Sequence, residues 1–391
     1  MTPSVTSFRS QLPVKIVFGD GTIALVTEAL AALGATSALV VVEEPVAAHP
    51  GVTTALASVE GAGVRVERIV KGPGEPTFAL ADELAARIRD GGLEAVVGIG
   101  GGSALDVAKA ARIAADQGGD TSEYASGARV PVPPRIGLVL CPTTSGTGSE
   151  VSGASVLTDT ERDRKIGFGH PDMRAQHALV DPRLTYGLPA VPTAHSGVDA
   201  MAQAIGACTV ANSSPLSMAF GLEACHHVAH SLREAVADGA DADARRRLSC
   251  ASLTAGLAMN LSDCAADHAL GQALGSVKHL PHGLTIALVL AETLELTRGD
   301  CAERLERVAD ALGEPHDGTT DGSRAVRAVR RVLTDVGFPT LREVGVTEDD
   351  LPALAESATG EQSYNLDVDC HHWTSAEVEQ AFRAALSLER R

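Results

Sequence analysis

The first half of the chain alternates short runs of β-branched residues with stretches whose apolar positions recur at helical spacing. The β-branched runs predict strands over residues 14–18, 38–42, 64–70, 95–99 and 136–141. The stretches between them predict helices over residues 22–33, 77–89 and 104–115. Strands that alternate with helices of this length predict an α/β domain with a doubly wound parallel sheet.

The pattern changes at the proline-rich residues 188–192, after which apolar positions follow helical spacing almost to the end of the chain. Helices are predicted over residues 216–235, 242–259 and 301–312. Just before the change, residues 150–168 have the signature of a β-hairpin. We therefore expect an α/β domain over residues 1–188 and an all-α domain over residues 189–391.

Composition narrows the class of protein. With 391 residues and 45% hydrophobic positions, the chain is long enough for two or three well-packed domains. A formal net charge of −18 repels nucleic acid and anionic membrane surfaces, so a small diffusible substrate is expected instead. The sequence has no 18-residue apolar run, and its beginning lacks the apolar core of a secretion signal, which favours a cytoplasmic protein.

Two loops at predicted strand ends are candidates for nucleotide binding. Gly100, Gly101, Gly102 and Ser103 follow a strand and open a helix, where close backbone approach and free helix N–H groups suit a pyrophosphate. A plain tight turn gives the same glycine pattern. The second loop, residues 143–149, is dense in hydroxyls and glycines and favours the nucleotide interpretation.

The second predicted strand ends in Glu43 and Glu44. A carboxylate at this place can accept hydrogen bonds from the adenosine ribose hydroxyls and repel a 2′-phosphate, so NADH is favoured over NADPH. The alternative is an ordinary solvated strand end.

A third set of residues suits a divalent metal. His268 and His282 lie fourteen residues apart, downstream of an isolated aspartate, Asp199, in a predicted helical region. Neutral imidazoles and one carboxylate are suitable ligands for iron(II) or zinc. Buried histidines without a metal are the alternative.

Four segments together resemble the iron-containing (group III) alcohol dehydrogenase family: residues 100–109, residues 142–150, and residues 196–203 and 267–283, which contain the candidate metal ligands. The resemblance implies the dehydroquinate synthase-like fold of that family and NAD(H) as cofactor. By the same resemblance, the remaining cofactor-binding positions are Asp106, Thr143, Thr144, Thr147, Ser149 and Lys165. Its metal ligands correspond to Asp199, Gln203, His268 and His282.

The chain departs from the family pattern at three positions. Gln203 replaces a ligand histidine, Gln272 replaces a histidine near the nicotinamide, and Gly206 replaces a glutamate. Glutamine is a weaker ligand than imidazole, and it cannot exchange a proton at neutral pH. We expect weakened metal binding and proton delivery from His279, with Lys278 or solvent as alternatives; Lys278 also suits recognition of an anionic substrate.

The resemblance implies an NAD(H)-dependent oxidoreductase that reduces a small aldehyde or oxo-acid to the alcohol by hydride transfer, assisted by iron(II) or zinc, in a homodimer. One alternative is a metal-independent reductase of a small anionic carbonyl compound, similar to maleylacetate or phosphonoacetaldehyde. The other is a non-redox lyase, or a nucleotide-binding relative that has lost catalysis.

Overall fold

The computed structural model describes residues 10–162, 164–360 and 362–388. The chain divides into two compact units, one formed by the described residues of 12–186 and the other by the described residues from 187 onward together with residues 10 and 11. We refer to residues 12–186 as the α/β unit and to residues from 187 onward as the helical unit.

The α/β unit is built on a parallel sheet. Its strands are β1 (Lys15–Phe18), β2 (Ser37–Glu43), β3 (Arg65–Lys71), β4 (Ala95–Gly100), β5 (Gly137–Pro142) and β8 (His177–Val180). They pair in the order β1-β8-β5-β4-β2-β3, and every neighbouring pair is parallel. Strands β6 (Ala154–Asp159) and β7 (Arg164–Gly169) form a separate antiparallel pair, which confirms the predicted hairpin.

Helices cover both faces of the sheet. They are α1 (Val26–Ala32), α2 (Pro50–Gly61), α3 (Phe78–Gly91), α4 (Gly102–Gln117) and α5 (Thr121–Ala125). The two-residue repeat of a strand sorts the side chains of β2, since Leu39 and Val41 pack with α3 and α4, whereas Val40 and Val42 pack with α1 and α2. Burial on both faces explains the nearly continuous apolar runs that predicted these strands.

The strand order places two loops side by side. Strands β4 and β5 are neighbours, and Gly100 at the end of β4 is in register with Pro142 at the end of β5. The glycine turn after β4 and the hydroxyl-rich loop after β5 therefore leave the same edge of the sheet. Ligands of open parallel sheets bind at this edge, beyond the carboxyl ends of the strands.

The helical unit contains no strand among its described residues. Its helices are α6 (Ala190–Thr209), α7 (Pro215–Ala229), α8 (Leu232–Ala237), α9 (Ala242–Asn260), α10 (Ala266–Lys278), α11 (His282–Thr297), α12 (Ala302–Ala311), α13 (Ser323–Asp335), α14 (Leu351–Thr359), α15 (Tyr364–Asp367) and α16 (Ser375–Ser387). The predicted fold class, a parallel α/β half followed by an all-α half, is confirmed.

One predicted helix is wrong. Residues 216–235 form two helices, α7 and α8, because the backbone leaves helical geometry at His230 and Ser231. The Ser231 hydroxyl donates a 2.7 Å hydrogen bond to the His227 carbonyl, a local bond that competes with helix continuation. The apolar spacing continues through the break, since Leu232 and Ala235 are both buried, and this concealed the interruption.

No helix in the described ranges combines the length and the apolarity required to cross a membrane.

Candidate metal and cofactor sites

Three helices bring one carboxylate and two imidazoles together. Asp199 lies on α6, His268 on α10, and His282 is the first residue of α11. Oδ1 of Asp199 is 3.6 Å from Nε2 of His268 and 3.5 Å from Nε2 of His282. One ligand atom from each side chain fits within a group no wider than 4.8 Å, a size that a single cation can span.

The atoms that face one another in this cluster are buried acceptors. Asp267 accepts a hydrogen bond from Nδ1 of His268 at 2.7 Å, so Nε2 is the nitrogen of that ring left to face a cation. In the described part of the chain, Nε2 of His268, Oδ1 of Asp199 and Oε1 of Gln203 have no hydrogen-bond partner. Buried acceptors without donors are costly, and a divalent cation satisfies all of them at once. The residues therefore fit a metal.

The electrostatics of the cluster favour an ionised Asp199. Burial on its own raises the pKa of this carboxyl, but the neighbouring imidazoles of His282 and His268 outweigh burial and lower the pKa below the usual range for aspartate. Burial lowers the pKa of His268, but the acidic side chains around it raise the pKa well above the usual range for histidine, so a cation that binds Nε2 would displace a proton from that nitrogen. An ionised carboxylate is the form that binds a metal.

The glycine turn of the α/β unit is closely packed. A Cβ atom on Gly100 would lie 2.6 Å from the Cβ of Ala104, and one on Gly102 would lie 2.7 Å from Cγ2 of Thr147. The backbone N–H of Gly101 donates a 2.8 Å hydrogen bond to Oε2 of Glu43, at the end of β2. The turn thus leads into α4 through residues that have no side chain, an arrangement that suits close approach of a phosphate group to the backbone.

The loop after β5 is anchored to α4 through Asp106. Its carboxylate accepts hydrogen bonds from the Ser149 hydroxyl at 2.6 Å and from the Val156 N–H at 2.9 Å, and it pairs with the Lys109 ammonium at 3.0 Å. Lys109 is fully buried and also donates to the carbonyls of Ser149 and Ala154. In this arrangement Asp106 bonds both to Ser149 and to the hairpin.

The other predicted cofactor residues lie around the same turn. The Thr143 N–H donates to the Gly100 carbonyl at 2.9 Å, and the Thr144 side chain would lie 3.2 Å from a Cβ on Gly101. The Ser103 hydroxyl donates to the Gly74 carbonyl at 3.3 Å, and Lys165 pairs with Glu75 at 2.7 Å. These last two residues connect α4 and the hairpin to the segment before α3.

Family profiles match most of the chain. The profile described as iron-containing alcohol dehydrogenase matches residues 13–182. The profile of the C-terminal part of the Fe-containing alcohol dehydrogenase family matches residues 193–386. The chain belongs to the iron-containing alcohol dehydrogenase family.

Individual family members are similar over nearly the full length. The choline dehydrogenase of Bacillus subtilis strain 168 is 32% identical over 353 residues, which are 89% of this chain and 88% of that protein. A crystal structure of a 1,3-propanediol oxidoreductase has a TM-score of 0.91 at 30% identity and covers 97% of this chain and 100% of its own. The sulfoacetaldehyde reductase of Bifidobacterium kashiwanohense, solved in complex with NAD+, has a TM-score of 0.89 at 25% identity, with 98% and 100% covered. The resemblance inferred from the motifs is confirmed.

Among the three departures from the family pattern, Gly206 has a packing explanation. A Cβ on Gly206 would lie 2.7 Å from the backbone nitrogen of Ala265 and 3.4 Å from the carbonyl carbon of Cys264. Glycine therefore lets α6 approach the backbone just before α10, the helix that carries His268. A glutamate side chain has no room at this position.

The three residues predicted for the catalytic site lie at the end of α10 or along it. His279 terminates this helix in the left-handed region, with φ of 53°, and its side chain is exposed. Lys278 pairs with Asp350 at 2.8 Å, and Gln272 is half-buried on α10. The roles predicted for these three residues stay predictions.

Sequence reasoning missed two acidic residues. Asp267, which contacts His268, was given no role although it immediately precedes that histidine; an acid inside an otherwise apolar helix start was the available signal. Glu150 ends the hydroxyl-rich loop, is only 2% exposed, and has a pKa raised by burial to about 7. Its burial depends on tertiary packing, which no local pattern reveals.

Proposed function

We propose that the chain is an NAD(H)-dependent, metal-assisted oxidoreductase that reduces a small aldehyde or oxo-acid to the corresponding alcohol. Family membership makes it an alcohol dehydrogenase or aldehyde reductase. The observation that carries the metal-assisted part is the group of buried, unpartnered acceptor atoms on Asp199, Gln203 and His268, beside His282. Buried acceptors without donors destabilise the folded protein, and a bound cation would satisfy them together.

In this proposal, Asp199, His268 and His282 hold a divalent cation, iron(II) or zinc, with Gln203 as a weak fourth ligand. When bound, such a cation acts as a Lewis acid on the oxygen of the carbonyl group. The carboxylate of Asp199 reduces the positive charge of the site, and the two imidazoles fix its position. Hydride transfer to the carbonyl carbon leaves an alkoxide, which takes a proton; His279 is the group that we propose to supply it.

The α/β unit is proposed to bind the dinucleotide. The N–H groups at the start of α4 suit the pyrophosphate, and the glycine turn lets the backbone approach it. Glu43 is the acidic residue at the end of β2, the position from which a carboxylate binds the adenosine ribose and disfavours NADP(H). The related sulfoacetaldehyde reductase, solved with NAD+, supports the choice of NAD(H).

The relatives leave the charge of the substrate open. One is named for choline, a cation, one for 1,3-propanediol, which is neutral, and one for sulfoacetaldehyde, an anion. Lys278 was the residue that suited recognition of an anionic substrate, and its ammonium is paired with the Asp350 carboxylate at 2.8 Å. We therefore propose an uncharged aldehyde as the substrate, in preference to a maleylacetate-like or phosphonoacetaldehyde-like anion.

The test begins with protein purified without chelators. Metal content is measured, NADH binding is followed by fluorescence, and NADH oxidation is assayed with neutral, cationic and anionic aldehydes before and after chelation. Loss of activity on chelation and recovery with iron(II) or zinc supports the proposal. Activity that survives chelation overturns the metal-assisted part, and NADH binding without turnover of any compound overturns the redox part. We also propose that the protein is a homodimer, as the family resemblance implies. Light scattering on the same sample tests this.

A further inference from the structure

Asp267 makes a contact that ordinary helix geometry does not produce. Adjacent residues of a helix project about 100° apart and do not face each other. Nevertheless, Oδ2 of Asp267 lies 2.7 Å from Nδ1 of His268, the residue that follows it. The side chains of Asp267 and His268 are 2% and 5% exposed, so water does not compete for this hydrogen bond.

The first turn of α10 is held from the C-terminal part of the chain. The N–H of Ala266 donates to Oδ2 of Asp369 at 2.7 Å, and the side-chain amide of Asn365 donates to the Cys264 carbonyl at 3.0 Å. Both bonds are buried. The backbone from which Asp267 and His268 project is therefore fixed by a segment about one hundred residues away, as expected for a turn that must present its side chains accurately.

The hydrogen bond determines what His268 offers on its other side. A carboxylate at Nδ1 keeps a proton there and prevents rotation of the ring, so Nε2 is the nitrogen directed toward Asp199, 3.6 Å from Oδ1, and the one that a cation can bind. A carboxylate behind an imidazole also makes that imidazole a stronger electron donor. This matters more in the present chain, because the neighbouring position 203 carries a neutral amide where an imidazole would bind more strongly.

We propose that Asp267 is a positioning residue of the metal site, which orients and strengthens His268 as a ligand and so compensates for the weak ligand Gln203. This inference rests on the metal-assisted function proposed above. Asp267 itself does not bind the metal in this proposal; it acts through His268.

The experiment compares Asp267→Asn with wild type in the full chain. The metal dissociation constant is measured by calorimetry with Co2+, and the visible absorption of the cobalt protein reports the ligand geometry. Asparagine has nearly the same shape but loses the charge, so we expect binding about 10- to 100-fold weaker, with an altered cobalt spectrum. Asp350→Asn is the matched control, because Asp350 contacts Lys278 at the other end of α10; its cobalt binding should equal that of wild type.

The outcomes separate this inference from the proposed function. If wild type binds no Co2+, both the metal-assisted function and the role of Asp267 are overturned. If wild type binds Co2+ and Asp267→Asn binds it within twofold, only the role of Asp267 is overturned.

A second measurement covers the case in which Asp267→Asn does not fold. Nitrogen NMR of histidine-labelled wild-type protein identifies which nitrogen of His268 carries the proton, with His268→Gln for assignment. A proton on Nδ1 in the metal-free protein supports the inference. A ring protonated on Nε2 but not on Nδ1 overturns it, because Asp267 would then have no proton to accept.

Discussion

The side-chain amide of Gln203 donates a 3.1 Å hydrogen bond to Oδ2 of Asp199, one helical turn away on α6. The bond orients the amide, so its oxygen is buried without a partner, while Oδ1 of the same carboxylate lies near His268 and His282. Gln203 thus supports the ligand Asp199 through its nitrogen and leaves its oxygen available for a cation.

Replacing Gln203 by histidine should strengthen metal binding. An imidazole is a better ligand for iron(II) or zinc than an amide oxygen, so Gln203→His should bind Co2+ or Zn2+ about tenfold more tightly or better, measured by calorimetry. Gln203→Leu, which has a similar volume and no polar atom, should bind more weakly than wild type. Equal affinities for the three proteins would contradict a ligand role for position 203.

A methyl group on Gly102 should impair the dinucleotide site. Its Cβ would lie 2.7 Å from Cγ2 of Thr147 and would also stand at the start of α4, where the pyrophosphate is proposed to bind. Gly102→Ala should raise the dissociation constant for NADH about tenfold or more, as measured by fluorescence titration. Gly61→Ala, at the end of α2 with no atom within 4 Å of its Cβ, is the control and should bind NADH normally.

Asp106 was predicted from the family resemblance to bind the cofactor. Because of its contacts, we expect its substitution to affect the stability of the protein more than the binding of NADH. Asp106→Asn would remove the charge that balances the fully buried ammonium of Lys109, 3.0 Å away. Breaking a buried ion pair from one side costs about 3–5 kcal/mol, so urea unfolding should show a loss of that size. A stable variant with weak NADH binding would instead favour a direct role in cofactor binding.

Glu150 should make stability decrease with rising pH. Burial raises its folded pKa from 4.5 to about 7, so between these values the native protein keeps a proton that the unfolded chain has released. The native state is therefore disfavoured progressively across this window, by about 3 kcal/mol in all, with no further change above pH 7. Glu150→Gln lacks this ionisation, so its stability relative to wild type should increase from pH 4.5 to pH 7 in urea unfolding. Glu60→Gln, on the exposed side of α2, is the control.

Substitution of His279 tests the proposed proton delivery. Asparagine tolerates the left-handed conformation of this residue, with φ of 53°, but cannot titrate near neutral pH. His279→Asn should lower kcat for aldehyde reduction about 100-fold and flatten its dependence on pH, with little change in Co2+ affinity. A normal kcat and an unchanged pH profile would assign proton delivery to Lys278 or solvent instead.

The sequence was sufficient for elements with strong periodicity. Strands β2, β4 and β5 are runs of buried aliphatic residues, and their positions were predicted within one or two residues. Strand β8 was missed because it has only four residues and no distinctive pattern; its place between β1 and β5 depends on pairing with both. Pairing between distant segments leaves no local trace in such a short strand.

In the metal site, too, some features could be predicted from the sequence and others could not. The spacing of His268 and His282 and the isolated Asp199 predicted a cluster that the structure contains, because helix geometry and the family motif constrain those positions. The hydrogen bond from His268 to Asp267 could not be predicted, since neighbouring helical residues ordinarily point apart. The burial of Glu150 and the close packing at Gly206 likewise depend on which segments meet in space.

The buried ammonium of Lys109 joins three pieces of backbone: helix α4, the Ser149 carbonyl and the Ala154 carbonyl at the start of the hairpin. Local unfolding of any one of these pieces would leave the buried ammonium without part of its hydrogen bonding, which is costly where water does not reach it. The three pieces should therefore unfold and refold as one cooperative unit, and their slowest backbone amides should exchange with deuterium at a common rate. In that way a single side chain would determine how long the three pieces of backbone stay folded together.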